Sequence, residues 1–174
     1  MTIEVEIKYR IKDKSKLIAK LNLLGARFIS KTHQQDIYYS PAKGKRFINS
    51  NPRLRIRKNM TKGTARLEYH INQGLYTGIE KEVTISDGDM MKLILKNLDF
   101  KEETIVDKIR NSYKYRQFNF DLDIVKGVGT FLEIELLDPA DKRKAIAKIK
   151  ELEKDLNLTA ENYCKDRYLN MVLK

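Results

Sequence analysis

The strongest constraint on the fold is a strictly alternating segment near the start of the chain. Residues 3–11 read I-E-V-E-I-K-Y-R-I, with apolar residues at every odd position and charged residues at every even one. A two-residue period is typical of a β-strand that has one apolar and one charged face. A single strand of this kind also fits an ordinary surface sheet. The choice between these structures therefore depends on how often the pattern recurs.

The alternating pattern recurs along most of the chain. Further strands are predicted at residues 27–31, 35–40, 53–58, 65–71, 79–85, 103–116 (as one long or two short strands), 119–125 and 131–137. The predicted strands carry acidic side chains on their charged faces at Glu4, Glu6, Glu68, Glu80, Glu82, Asp121, Asp123, Glu133 and Glu135. They carry basic side chains at Lys8, Arg10, Arg55, Arg57, Arg66, Lys108 and Arg110.

Four helices are predicted between and after the strands. The first spans 14–24, with Asp13 as its N-cap and Gly25 at its end. The second begins at Ser86 or Asp87, reaches about residue 98, and is expected to bury a stripe of Met90, Leu93, Ile94 and Leu98. The third starts at Pro139 with Asp138 as its cap and ends near residue 157, and a closing helix is expected over 159–173. The pattern predicts an α+β fold and a single domain over residues 1–174.

The composition indicates which kinds of partner the protein binds and in which cellular compartment it is found. The chain has 35 Lys and Arg against 24 Asp and Glu, a net charge of +11, which favours anionic partners. The only cysteine, Cys164, fits a reducing compartment. No apolar run is long enough to cross a bilayer, and the N-terminus lacks the apolar stretch of a signal peptide. We therefore expect a cytoplasmic protein that makes no membrane contact.

The charged strand faces point to a water-filled interior. Amphipathic helices need the apolar strand faces, so the charged faces either remain exposed or curl inward into a closed barrel. Buried charges without partners lose several kcal/mol of hydration each, so such an interior must hold ligands. Mixed signs predict a divalent cation on the acids and a polyanion on the bases. The alternative is an antiparallel sheet with salt bridges on its solvent side.

Several motifs, in order, resemble those of one family. They are E-V-E-I-K at 4–8, Q-Q-D-I-Y-Y at 34–39, L-R-I-R at 54–57, E-K-E-V at 80–83, K-I-R at 108–110 and the L-D-I-V-K-G-V-G-T-F-L-E-I-E stretch at 122–135. Together they resemble the CYTH superfamily of triphosphate tunnel metalloenzymes. The 122–135 and 34–39 stretches are most similar to the branch that contains the class IV adenylyl cyclases.

The resemblance implies a closed eight-stranded antiparallel β-barrel, the triphosphate tunnel, with helices packed outside. It also implies Mg²⁺ or Mn²⁺ as cofactor. The metal ligands would be Glu4, Glu6 and Glu135, assisted by Glu82, Asp123 and Glu133. The phosphate-binding residues would be Lys8, Arg55, Arg57, His70, Lys108, Arg110 and Lys165.

Two positions depart from the family pattern. His70 replaces a lysine that usually follows the arginine pair, and the closing segment reads Lys165-Asp166-Arg167-Tyr168 where the family has a basic residue before Ser-Tyr. Of the motif residues, we expect Lys8 and Glu6 to be catalytic. Lys8 could steady a phosphate or, if neighbouring arginines lower its pKa, transfer a proton.

The expected function is therefore metal-dependent chemistry on a small-molecule linear triphosphate, most similar to the conversion of ATP to cyclic AMP and pyrophosphate. One alternative is a triphosphatase, and another is a non-catalytic binder of polyphosphate or nucleotide. A nucleic-acid-binding barrel is a further possibility raised by the net charge, but the tyrosines and phenylalanines lie mostly on apolar faces rather than among the bases. The chain is expected to be a monomer or a homodimer.

Overall fold

The computed structural model describes residues 2–44, 46–47, 52–74, 76–137 and 139–174, with side chains from residue 4 onward. The strands are β1 (Thr2–Ile11), β2 (Arg27–Pro41), β3 (Arg53–Asn59), β4 (Thr64–Asn72), β5 (Thr77–Ile85), β6 (Phe100–Tyr115), β7 (Phe118–Val125) and β8 (Gly129–Leu137). The helices are α1 (Lys14–Leu24), α2 (Gly88–Asn97), α3 (Lys142–Leu156) and α4 (Tyr168–Val172).

The eight strands form a closed barrel in the order β1-β5-β4-β3-β2-β6-β7-β8, and every neighbouring pair is antiparallel. Closure gives the sheet an inside and an outside, so the alternation in each strand separates two environments. Glu6 of β1 lies opposite Glu135 of β8, and Lys8 lies opposite Glu133. The predicted fold, with the charged faces turned inward, is confirmed.

The main apolar core lies outside the barrel, between its wall and two helices. Val5, Ile7 and Tyr9 of β1 pack in one cluster with Leu21 of α1 and Ile149 of α3. Asp13 caps α1 by accepting a hydrogen bond from the Lys16 N–H, and Gly25 ends the helix in a left-handed conformation. The helix predicted over 14–24 is confirmed at both ends. Within the described residues, no helix has the length and apolar character needed to cross a bilayer.

Helix α2 covers a second part of the wall but buries a different face from the one predicted. It begins after its N-cap Asp87, and Leu95 and Met91 pack onto the barrel. The predicted stripe is exposed instead, with Leu93 53% and Leu98 64% accessible. The prediction was wrong because α2 packs on the barrel through Leu95 and Met91, and not through the predicted stripe.

The last segment closes one end of the barrel. A 3-10 turn (Ala160–Asn162) leads to Tyr163, which forms an isolated β-bridge with Tyr9 of β1. The short helix α4 then packs Tyr168 and Leu169 against inner-face side chains that include Val106 and Phe131. The predicted helix over 159–173 was wrong in extent, because residues 163–167, between the 3-10 turn and α4, are not helical.

Two other predicted boundaries differ from the structure. Residues 27–31 and 35–40 belong to one strand, because β2 pairs with β6 over nearly its whole length and bulges interrupt this pairing without ending it. Helix α3 begins at Lys142, with Asp141 as the cap, and not at Pro139. The predicted cap, Asp138, lies outside the described residues.

Candidate functional site

The barrel encloses a central cavity of about 190 Å³. The strands place side chains of both signs on its wall, as the alternation predicted. Eleven of the predicted site residues line the cavity: Glu4, Glu6, Lys8, Arg55, Arg57, His70, Lys108, Arg110, Glu133, Glu135 and Lys165. Charges of both signs therefore converge on a single interior space.

One ion-pair cluster, formed by Asp36, Arg55, Arg57 and Glu68, holds both predicted arginines. Arg57 donates two hydrogen bonds to Asp36, at 2.7 and 2.8 Å, and Arg55 donates one to Glu68 at 2.5 Å. Burial favours the neutral acid at Asp36, but the charges of Arg57 and Arg55 outweigh it and hold the pKa of Asp36 well below its usual range. In this first ion-pair cluster, the positive charges of the two arginines are therefore offset by the two carboxylates.

A second ion-pair cluster comprises Lys8, Lys108, Arg110, Asp121, Asp123 and Glu133. Lys108 donates to Asp123 at 2.8 Å, and Arg110 donates to Asp123, Asp121 and Glu133 at 2.5 to 2.7 Å. Lys8 lies 3.2 Å from Glu133. Burial alone would lower the pKa of Lys8, yet the carboxylates of Glu133 and Glu6 raise it. Lys8 is therefore a permanent cation, and the proposed lowering of its pKa was wrong.

Glu4, Glu6 and Glu135, the carboxylate trio, have none of these ion pairs to Lys or Arg within the described part of the chain. Burial and the neighbouring Glu133 raise the pKa of Glu6 well above its usual value. Burial, Glu80 and Glu135 raise the pKa of Glu4 to about 7. Burial likewise raises the pKa of Glu135, whose side chain accepts a hydrogen bond from Asn119 at 3.1 Å. These three carboxylates are poorly compensated and face the cavity.

His70 contacts this trio directly. Its Nε2 atom lies 3.3 Å from Oε1 of Glu4. Burial, together with the charges of Arg53, Arg55 and Arg167, lowers the pKa of His70 to about 2, so its imidazole is neutral at pH 7. A neutral imidazole is a hydrogen-bonding group rather than a cation, which changes the phosphate-binding role expected of it.

Two predicted metal ligands lie away from the cavity. Glu82 is on the part of β5 that extends beyond β1, and its exposed carboxylate pairs with Arg66 at 2.9 Å. Asp123 is fully buried and does not line the cavity, because its carboxylate is covered by Lys108 and Arg110, with which it is paired. Glu133 lines the cavity, but its carboxylate is engaged by Lys8 and Arg110.

Of the six predicted metal ligands, those that remain available to bind a cation are the carboxylate trio. Within the described residues, no three acidic, histidine or cysteine side chains form a ready-made metal cluster. Mg²⁺ commonly binds through one or two carboxylates and completes its shell with water and substrate phosphates. Hard oxygen donors whose ionised forms lack basic partners fit such an ion, since the cation would offset their mutual repulsion.

Several residues that line the cavity or build its wall were not among the predicted site residues, including Arg53, Arg167 and Asp36. Arg53 and Arg167 line it, and Asp36 holds the arginine pair. Arg53 was recognisable, because it lies two positions before Arg55 and so shares its face. Asp36 was within the recognised 34–39 motif, but the sequence does not display that its partners are Arg55 and Arg57 on the neighbouring strand.

The family match covers nearly the whole barrel and the segment that closes it. The CYTH domain family matches residues 2–168. The chain belongs to the CYTH domain family. A Methanocaldococcus jannaschii protein provisionally named an adenylate cyclase is 37% identical over 174 residues, which cover 97% of this chain and 98% of that protein.

Solved structures share the CYTH barrel. A Pyrococcus horikoshii protein superposes with a TM-score of 0.88 at 26% identity, over 97% of this chain and 98% of that one. A Hippeastrum adenylyl cyclase candidate, described as having a dominant triphosphatase activity, superposes with a TM-score of 0.66 at 15% identity, over 95% of this chain and 91% of that one. At this identity the second likeness concerns the fold alone.

Proposed function

We propose that this CYTH protein is a metal-dependent enzyme that acts on a linear triphosphate, with the conversion of ATP to cyclic AMP and pyrophosphate as its reaction. The observation that carries the proposal is the cavity wall, where the carboxylate trio shares one enclosed space with arginine and lysine side chains. Such a wall complements a cation bound to a polyanion and suits no uncharged ligand.

The carboxylate trio would hold Mg²⁺ or Mn²⁺. When bound, the ion would supply electrostatic neutralisation of the phosphate oxygens. The protein's own part is to present Glu4, Glu6 and Glu135 from adjacent antiparallel strands, where the β1–β8 register sets Glu6 directly opposite Glu135. Their position in a closed barrel limits water around the phosphates, which strengthens each charge interaction there.

Lys8 and Glu6 are the proposed catalytic residues. Lys8 stays protonated and stabilises negative charge that develops on the phosphate, because Glu133 and Glu6 raise its pKa. The ribose 3′-hydroxyl oxygen forms a bond to the α-phosphorus, and the bond from that phosphorus to the bridging oxygen of pyrophosphate breaks. Glu6, in its carboxylate form, accepts the hydroxyl proton.

Arginine and lysine side chains align the phosphate chain. Arg55, Arg57, Lys108 and Arg110 line the cavity on the side of the two ion-pair clusters, and Lys165 lines it from the closing segment. Catalysis in this arrangement is positioning of the triphosphate and neutralisation of its charge. Tyr76 and Tyr163 also line the cavity, with ring centroids 5.8 Å apart, and offer an aromatic surface to a nucleobase.

A triphosphatase is the second candidate. The cavity wall is mostly charged, and apart from a few tyrosines it has little apolar surface with which to recognise adenine. A substrate made of phosphates alone would contact the same charged groups, with water as the nucleophile and orthophosphate as the product.

Binding of nucleotide or polyphosphate without turnover is the third candidate, which the replacement of the family's lysine by His70 favours. The single cysteine supports placement of the protein in the cytoplasm.

A product assay separates these functions. Purified protein is incubated with ATP, and separately with tripolyphosphate, in the presence of Mg²⁺ or Mn²⁺. Cyclic AMP with equimolar pyrophosphate supports the cyclase, and orthophosphate alone supports the triphosphatase. Absence of product with either metal, accompanied by a rise in melting temperature on adding ATP, supports the binder. If neither turnover nor stabilisation occurs with any of these ligands, the proposal is wrong.

A further inference from the structure

The charges of the cavity wall are not evenly available to a ligand. Arg57 and Arg55 are committed to Asp36 and Glu68, and Lys108 and Arg110 to the carboxylates of the second ion-pair cluster. Each of these four basic side chains has a carboxylate within about 3 Å, which largely cancels its positive charge. A phosphate that approaches them is therefore only weakly attracted. The positive charge that attracts an anion must come chiefly from elsewhere on the wall.

Arg53 is a cation of a different kind. It lines the cavity, and in the described part of the chain it forms no ion pair with a carboxylate. Its Nη2 atom donates to the amide oxygen of Asn72 at 2.9 Å, and its buried Nε–H has no acceptor among the described residues. A guanidinium that is partly desolvated and has an unused N–H is ready to donate to a ligand oxygen.

The surroundings of Arg53 add positive charge. Arg167 and Lys165, from the closing segment, line the same cavity. Burial and the charge of Arg53 lower the pKa of Arg167 to about 10, and burial lowers that of Arg53 itself. The lowered pKa of Arg53 means that its charged form is under-compensated, as the carboxylate trio is under-compensated with the opposite sign.

The two regions are joined by one contact. Arg53 of β3 lies directly opposite His70 of β4 in the barrel register, and the His70 imidazole reaches the carboxylate of Glu4. Arg53 therefore neighbours the carboxylate trio, with the neutral imidazole of His70 between Arg53 and Glu4. A metal held by the trio and a phosphate held by Arg53 would offset both sets of charges.

We propose that Arg53, which shares the cavity wall with Arg167 and Lys165, is an anchoring site for a phosphate of the substrate. This inference rests on the proposed function and deepens it, because it names the side chain that holds the anion. It also separates two roles for the basic side chains. Arg53 attracts and holds the anion, whereas Arg55, Arg57, Lys108 and Arg110 shape the wall against which it lies.

Binding of inorganic anions tests this division without turnover. Affinities for tripolyphosphate, pyrophosphate and orthophosphate are measured by calorimetry in buffer with EDTA and again with Mg²⁺, for the wild type and for Arg53→Gln. The matched control is Arg66→Gln, which removes an exposed arginine on the neighbouring strand that pairs with Glu82. Melting temperatures are recorded for each protein.

Arg53→Gln is expected to weaken tripolyphosphate binding by about tenfold or more, equivalent to about 1.4 kcal/mol, with a smaller loss for orthophosphate. The preference for the longer anion should therefore fall. Arg66→Gln should bind as the wild type does, and neither variant should melt much earlier, since Arg53 forms no ion pair within the described residues. If Arg53→Gln does not fold, Arg53→Lys replaces it, with the forked donor removed and the charge kept.

The outcomes separate the inference from the proposed function. Wild-type binding of tripolyphosphate that is unchanged by Arg53→Gln, or equally weakened by Arg66→Gln, overturns the anchoring site and leaves the proposed function standing. A wild type that binds no tripolyphosphate, with or without Mg²⁺, overturns both. A loss confined to Arg53→Gln that grows with anion length supports Arg53 as the anchoring site.

Discussion

Nε2 of His70 lies 3.3 Å from Oε1 of Glu4 because the strand between them carries no side chain at that point. Gly78 of β5 pairs with Glu4 on one side and with Asn72 on the other. A Cβ atom at position 78 would come within 2.2 Å of the His70 imidazole nitrogen. The contact that links β4 to the carboxylate trio therefore depends on a glycine.

The first prediction concerns this glycine. Gly78→Ala should displace the imidazole and reduce turnover by about as much as His70→Ala, since both remove the same contact. The free energy of unfolding should change by only about 1 kcal/mol, because the displaced atoms belong to a flexible side chain. Kinetics of both variants and of the double variant form a cycle. If the two losses simply add, Gly78 does not act through His70.

Glu6→Gln should abolish metal-dependent turnover without loss of stability. Burial and Glu133 raise the pKa of Glu6, so its ionised form is disfavoured in the fold and a neutral amide should be tolerated or slightly stabilising. Product assays and thermal melts with and without Mg²⁺ check both parts. The control is Glu82→Gln, an exposed carboxylate outside the cavity, which should remain active. Early melting of Glu6→Gln would instead indicate a structural carboxylate.

Arg57→Ala should mainly destabilise the fold. Asp36 is only 1% accessible, and removal of Arg57 leaves its carboxylate without the partner that donates two hydrogen bonds. Breaking a buried pair in this way costs about 3–5 kcal/mol. Urea unfolding of Arg57→Ala, compared with Arg66→Ala, measures the difference. Adding Asp36→Leu should recover part of the stability, and a wild-type midpoint for Arg57→Ala would contradict the structural role.

Stability should fall in acid, in part through Asp36. The pKa of Asp36 is lowered in the fold, because the charges of Arg57 and Arg55 outweigh burial. The folded state therefore holds fewer protons than the unfolded chain, and this stabilisation is complete above the ordinary aspartate pKa of about 3.9 and is lost as the pH falls below it. Asp36→Asn should reduce the slope of unfolding free energy between pH 4 and pH 2 by up to about 1.4 kcal/mol per pH unit. An unchanged slope would exclude Asp36 as a source.

The aromatic ring of Tyr168 should be essential for the stability of the fold, whereas its hydroxyl group should not be. The ring is buried beside Phe131, and the Lys8 ammonium lies 4.0 Å from its centroid. The hydroxyl is buried without a partner within the described residues. Tyr168→Ala should cost about 3–5 kcal/mol, as for other buried aromatic truncations. Tyr168→Phe should be neutral or stabilising by thermal melting, and a large loss there would point to a hydroxyl role in the site.

The strands could be predicted from the sequence because the two faces of each strand lie in different environments and so carry different residue types. Residues 3–11 indicated one charged and one apolar face, and Asp13, Gly25 and Asp87 indicated helix ends at the correct positions. These signals depend on neighbours within a few residues. Helix α2 shows where such reasoning fails, because two apolar faces were available and only packing against β3, β4 and β6 selects the one with Leu95.

The sequence by itself determined that acids and bases share the inner face of a sheet, since the parity of a strand position cannot change without turning every side chain to the other face. Only the tertiary structure decided which charges cancel. Asp36 forms an ion pair with Arg57, and Asp123 forms ion pairs with Lys108 and Arg110, whereas Glu6 has no ion pair with a base among the described residues. Barrel closure and register bring these residues together although they are far apart in the chain. Charge compensation depends on distances of a few ångströms between strands, and no local pattern encodes those distances.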